Sequence, residues 1–192
     1  MLKAATAIAI LGLSGGIAPA TAAGISDFIL RDNMLPPMAH TMFCVKYPQE
    51  CAKSEASIAY LIADQKVLLA ELESVNQMIN EAIWPLRTKA SSSFDNQWML
   101  FPAKGNCNDY AVSKRHELKA RGWPSSGLLL AEVALDTGEH HLVLVVTAGA
   151  STYILDNLTS EVVPLTNSVG YRWIRIQSPQ TPEMWVSMGP IK

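Results

Sequence analysis

The hydrophobic pattern of this chain changes period once, at Gly122-Trp123-Pro124, and that change limits the folds open to it. Before it, apolar residues recur at helical spacing. Leu68, Leu69, Leu72, Val75, Ile79 and Ile83 follow Asp64, a good N-cap residue, and Pro85 stops the run. A second helix is expected over 110–121, closed by Gly122, the residue type best suited to the left-handed position past a helix end. After the change the pattern is strand-like. It runs through 128–135, a turn at Asp136-Thr137-Gly138, the apolar stretch 141–146, a turn at 148–151, a return over 152–156 and a further strand over 171–177. Val162-Val163 adds a short strand before Pro164. Helices first and strands afterwards predict an α+β domain in which helices pack on an antiparallel sheet. Three stretches are less regular. Residues 54–62 suit a helix or a strand equally, 24–37 reads as an extended arm broken by Pro36-Pro37, and 87–104 reads as a polar loop carrying Trp98 and Phe101. No internal repeat and no low-complexity tract interrupts this order.

The chain has 192 residues, 49% hydrophobic and 17% charged, enough for one core and too few for two comfortable domains. A formal net charge of -2 and the lack of any basic run exclude a nucleic-acid partner on electrostatic grounds. At the start, Lys3 precedes an apolar stretch over 4–17 that Gly and Ser interrupt, and the small residues Ala20-Thr21-Ala22 follow. This is the pattern of a secretory signal peptide, too short and too broken for a membrane span. Cleavage is expected after Ala22 or Ala23, so 1–23 is read as the signal and 24–192 as the domain. No later stretch is long and apolar enough to cross a bilayer. The mature protein is expected to be soluble and either periplasmic or secreted.

Export changes how the three cysteines read. Cys44 and Cys51 lie close together with Pro48 between them, and in an oxidising compartment they suit a local disulfide. Two free thiols or a metal site are the alternatives. Pairing them leaves Cys107 as an odd thiol, which marks it as reactive. Cys107 stands in Gly105-Asn106-Cys107-Asn108-Asp109-Tyr110-Ala111, at or just before the start of the helix expected over 110–121. There the unpaired N–H groups and the positive dipole end favour an anion, and a thiolate is one. The competing reading is a small buried residue packing the helix start.

A nucleophilic thiol needs a histidine to exchange protons and an acceptor to orient that histidine. His40 lies in the N-terminal arm, and His116 is nine residues along the cysteine's own helix, too far to reach back. His140 and His141 open the apolar strand, and Asp156 ends its partner. If 148–151 is the loop, Thr147 faces Thr152 and Val143 faces Asp156. His141 then sits diagonal to the carboxylate, and His140 points to the opposite face. A slip of one residue in register would reverse that choice.

These residues resemble the bacterial transglutaminase-like cysteine proteinases, a family that includes LapG-like periplasmic proteases releasing surface adhesins. The resemblance is carried by Gly-Asn-Cys-Asn-Asp-Tyr-Ala, Gly122-Trp123-Pro124, Glu139-His-His-Leu-Val-Leu-Val-Val146 and Leu155-Asp-Asn-Leu158. It extends to the 43–51 loop, the Val75-Asn76…Asn80 helix and the Tyr171…Gln177-Ser178 tail. It implies a papain-like fold and a triad of Cys107, His141 and Asp156 acting on a protein or peptide of the cell envelope. One departure bears on metal. Relatives commonly carry acidic residues on both sides of the cysteine, where the adhesin-releasing branch binds calcium, and here those positions are Asn106 and Asn108. Only Asp109 remains as a calcium ligand, so no cofactor is expected to be required and calcium is expected to bind weakly or not at all. The Cys107 N–H is expected to donate to an oxyanion, with a second donor from the 87–104 loop, Gln97 being one source. Trp98 and Trp123 either wall the cleft or belong to the core. Hydrolysis, acyl transfer to an amine, and a non-catalytic binding domain of the same fold are the three functional readings. The intact Cys, His and Asp set argues against the last.

Overall fold

The computed structural model describes residues 30–86, 97–167 and 170–189. The expected signal segment, the first residues of the arm and residues 87–96 of the long loop lie outside that set. The rest of the arm is a strand, β1 (Leu30–Met34), and the extended reading gave no hint of its partner. Two short helices follow, α1 (Met38–Lys46) directly after Pro37 and α2 (Pro48–Cys51) with Pro48 in its first turn. The undecided stretch contains a helix, α3 (Ile58–Ile62), whose N-cap Ser57 accepts from the Tyr60 N–H. The long helix α4 (Gln65–Ala82) begins where expected. The Asp64 side chain accepts from the N–H groups of Lys66 and Val67, both at 2.9 Å, which satisfies two of the unpaired donors. Its apolar stripe of Leu68, Leu72, Val75 and Ile79 is buried.

A short parallel pair, β2 (Trp84–Pro85) and β3 (Lys104–Gly105), closes the base of the long loop. The helix α5 (Cys107–Ala120) follows at once. Gly122 ends it at φ +94°, and the Gly122 and Trp123 N–H groups bond back to the Lys119 and Leu118 carbonyls. That closure satisfies the last carbonyls and needs a residue tolerant of positive φ. The remaining strands are β4 (Leu128–Leu135), β5 (His140–Ala148), β6 (Ser151–Leu155), β7 (Val163–Pro164), β8 (Tyr171–Gln177) and β9 (Trp185–Met188).

All but β2 and β3 form one antiparallel sheet in the order β1-β9-β8-β4-β5-β6-β7. The helix α5 lies along β4 and β5 with α4 against it. Because side chains alternate along a strand, the sheet feeds two apolar clusters. Leu128, Leu130, Leu142, Leu144 and Val146 join α1, α4 and α5 in the larger one. Leu129, Ala131, Val133, Val143, Val145 and Ile154 meet Trp173 and Ile176 in the other. Trp98 and Trp123 are buried in the first cluster, so both belong to the core and neither walls a cleft. The disulfide between Cys44 and Cys51 is formed, with Cα atoms 5.5 Å apart, and Cys107 is the free cysteine. No helix among the described residues is long and apolar enough to cross a membrane.

Candidate active site

Cys107 is the first residue of α5, and its N-cap is built reciprocally. The Asn106 side chain accepts from the Asn108 N–H at 3.0 Å, and Asp109 Oδ2 accepts from the Asn106 N–H at 2.9 Å. Such a capping box fixes the first turn of the helix and with it the direction of the thiol. Asp109 does more than cap. Its Oδ1 accepts from the Met99 N–H at 2.8 Å, tying the segment beginning at Gln97 to the start of α5. Burial pushes the Asp109 carboxyl up, against those two backbone donors. Gly105 explains itself here, since a Cβ at that position would come within 2.8 Å of Asp109 Cβ and Oδ2.

The hairpin register is the expected one. Thr147 pairs with Thr152 and Leu144 with Leu155, which sets Asp156 opposite Val143 and diagonal to His141. His141 Nε2 donates to Asp156 Oδ1 at 2.7 Å, and the ring also hydrogen-bonds the Cys107 side chain. With Nε2 engaged by the carboxylate, Nδ1 is the nitrogen left for sulfur. Burial alone would lower the His141 pKa. The hydrogen bonds and negative charges of Asp156 and Cys107 outweigh it and raise the value to about 9. Asp156 is itself buried, which opposes ionisation, but His141, the Tyr171 hydroxyl and the Leu158 N–H hold its carboxyl below the usual range.

The other histidines sit elsewhere. His140 is exposed, with Nδ1 2.6 Å from Glu132 Oε1. His116 Nδ1 is 2.7 Å from Glu50 Oε1. His40 is not in a free arm but buried on α1 between Trp98 and Trp185, and Trp185 Nε1 donates to its Nδ1 at 3.3 Å. Gln97 is exposed and makes no hydrogen bond among the described residues.

Several supporting residues escaped the sequence reading. Tyr171 donates its hydroxyl to Asp156 Oδ2 at 2.5 Å, so both carboxylate oxygens are occupied. From α4, Asn80 Nδ2 donates to the Asp156 carbonyl at 3.1 Å and to the Thr159 carbonyl at 3.0 Å. Asn76 Nδ2 donates to the Thr159 and Ser160 carbonyls at 3.3 and 3.0 Å. The buried amides on the long helix were a usable signal, because a polar residue on an apolar stripe needs a partner.

The surroundings of Cys107 do not suit calcium. That ion takes six to eight oxygens, several of them charged. Among the described residues flanking Cys107, the one carboxylate, Asp109, already accepts two backbone N–H groups, and the Asn106 side chain is committed to the cap. Among the described residues, the one group that brings three metal-ligating side chains together is His40, Cys44 and Cys51, and its sulfurs are spent in the disulfide.

Known proteins give the arrangement its context. LapG of Legionella pneumophila in its calcium-bound form shares the fold, with a TM-score of 0.54 and 23% identity over 67% of this chain and 74% of that one. The EGTA-treated form gives 0.52 and 24%, covering 67% and 73%. No curated protein matches the sequence. Likeness at this level of identity speaks for the fold alone, but the sequence profile of a family goes further, matching residues 30–192 and so nearly all of the region following the predicted leader. This chain belongs to the bacterial transglutaminase-like cysteine proteinases.

Proposed function

We propose that this cysteine proteinase is exported and cleaves a peptide bond in an envelope or surface protein through Cys107, His141 and Asp156. The observation that carries the reading is the position of His141, buried and bonded at once to Asp156 and to the thiol at the start of α5. His141 takes the Cys107 proton, and the sulfur attacks the carbonyl carbon, forming a tetrahedral adduct with the negative charge on oxygen. The Cys107 N–H at the helix start donates to that oxyanion, and Gln97, on the segment held by Asp109, supplies the second donor. The adduct collapses to a thioester as the imidazolium gives its proton to the leaving amine. His141 then takes a proton from water, which adds to the thioester and releases the acid with the thiolate restored. Asp156 fixes the tautomer throughout and supports the imidazolium. No metal takes part in this scheme. The leader-like pattern over 1–23 and the Cys44–Cys51 disulfide support export.

The test compares envelope and released proteins of a strain carrying the wild-type chain with one carrying Cys107→Ala. One or more proteins shortened only in the wild type, each ending in a new free carboxylate, is the expected result. Identical lengths in both strains overturn the reading. New termini capped as amides of a second amine would assign the same thioester to acyl transfer.

A further inference from the structure

Asp156 has a neighbour that the triad chemistry does not use. Lys114 lies on α5 seven residues after Cys107, about two turns along the helix. Its side chain is fully buried, yet Nζ has no hydrogen-bond partner among the described residues. Lysines are almost never buried without a partner, because an ammonium gives up strong hydration. The charge that acts on it is the Asp156 carboxylate. From α4 come neutral amides, those of Asn76 and Asn80, whose donors hold the Asp156 and 159–160 carbonyls. The Oδ1 atoms of Asn76, Asn80 and Asn157 are buried without a partner, as Lys114 Nζ is. An unpaired cation and three unpaired carbonyl oxygens therefore belong to the two helices and the one loop that meet around Asp156.

We propose that Lys114 is a positioning residue, whose buried ammonium keeps Asp156 ionised to support His141, while the amides of Asn76 and Asn80 hold the loop that carries it. The inference rests on the triad reading above. Burial holds the Lys114 pKa down at about 7, against the pull of Asp156, so the ammonium is fully formed in acid. Acid is where Asp156 would otherwise gain a proton and release the imidazolium. The same burial works against stability. Unfolded lysine keeps its proton to about 10.4, and the folded chain gives it up near 7, so stability rises with pH between those values. At and below neutrality the full cost of burying the charge is present. A lysine kept only for structure would not be expected to carry that cost.

The experiment measures alkylation of Cys107 by iodoacetamide against pH, alongside thermal unfolding, in the full chain. Lys114→Met should unfold at the same temperature or higher. Its alkylation should be lost at a pH roughly one unit higher, about tenfold slower on the acid limb. Lys114→Arg, which keeps the charge, should move that limb back. An unshifted limb in the methionine variant, or a shift that arginine leaves uncorrected, overturns the proposal. Should the methionine variant fail to fold, the 13Cε resonance of Lys114 in the wild-type chain serves instead. Asp156→Asn should lower its titration midpoint, and an unmoved midpoint also overturns the proposal. Failure of the triad itself looks different. His141→Ala would then alkylate at the wild-type rate while the Lys114 midpoint still responded to Asp156→Asn.

Discussion

His140 and His141 are adjacent in sequence and share no environment. One is exposed beside Glu132, and the other is buried between Asp156 and the thiol. His141→Ala should therefore lower activity by about 10²-fold or more, as loss of a general acid–base does, and Cys107→Ala should abolish it. His140→Ala should leave most of it. Initial rates on any substrate found by the strain comparison check this, and a dead His140→Ala would assign the proton transfer to the wrong neighbour. The pH dependence has a sign. His141 is held protonated to about 9, so the imidazolium should persist through neutrality and be lost as pH rises past that value. Calcium is also decided at single residues. Asn106 and Asn108 bring no charge, and both Asp109 oxygens are engaged by the backbone. Calorimetric titration of chelator-treated protein should show millimolar affinity or none, towards the weak end of the roughly 10⁻⁹ to 10⁻³ M range of calcium sites. Micromolar binding would contradict it.

The helix α5 is held at both ends, and that is where changes to an element should tell. Asp109→Ala removes half of the capping box and the tether to Met99. It should cost about 1–2 kcal/mol in denaturant unfolding and slow Cys107 alkylation as well. At the other end, α2 sits on the helix through buried Glu50, whose carbonyl accepts from Arg115 at 2.6 Å and whose carboxylate lies 2.7 Å from His116. The disulfide pins that same short helix. Thiol counting in denaturant without reductant should find one reactive thiol in the chain, and reduction should lower stability by less than the ~3 kcal/mol expected for a fifteen-residue loop. Much of this was legible in the sequence. The start of α4 followed from Asp64, the ends of α4 and α5 from Pro85 and Gly122, and the β5–β6 register from a four-residue turn. By contrast, α5 begins at Cys107, three residues before the expected start, because the Asn106–Asp109 capping box extends it. The helix α1 was not legible, because Met38, Met42 and Val45 face solvent while His40 and Phe43 face inward, so apolar residues mark the wrong side. Strand β1 depends on a partner more than 150 residues away, which no local pattern announces. Tyr171 was legible as strand and not as a ligand of Asp156, since that bond is made across the sheet.

At the scale of the whole molecule, the response to acid should be set by a histidine outside the triad. His40 is held neutral down to about 4, first by burial and then by the charge of Arg115. An unfolded chain binds that proton near 6.5, so stability should fall as pH drops from about 6.5 to 4. Unfolding temperatures across that window test it, with His40→Gln flattening the slope. An equal slope in the variant would place the titration elsewhere. The sheet carries a further consequence. Its first strand, β1, is hydrogen-bonded to its last, β9, and Trp185 on that last strand donates to His40, which abuts Trp98, next to the Met99 held by Asp109. The start of α5 is thereby tied through His40 to the pairing of β1 with β9, so a change that loosens β9 should be felt at the cap above the thiol as well as in the sheet.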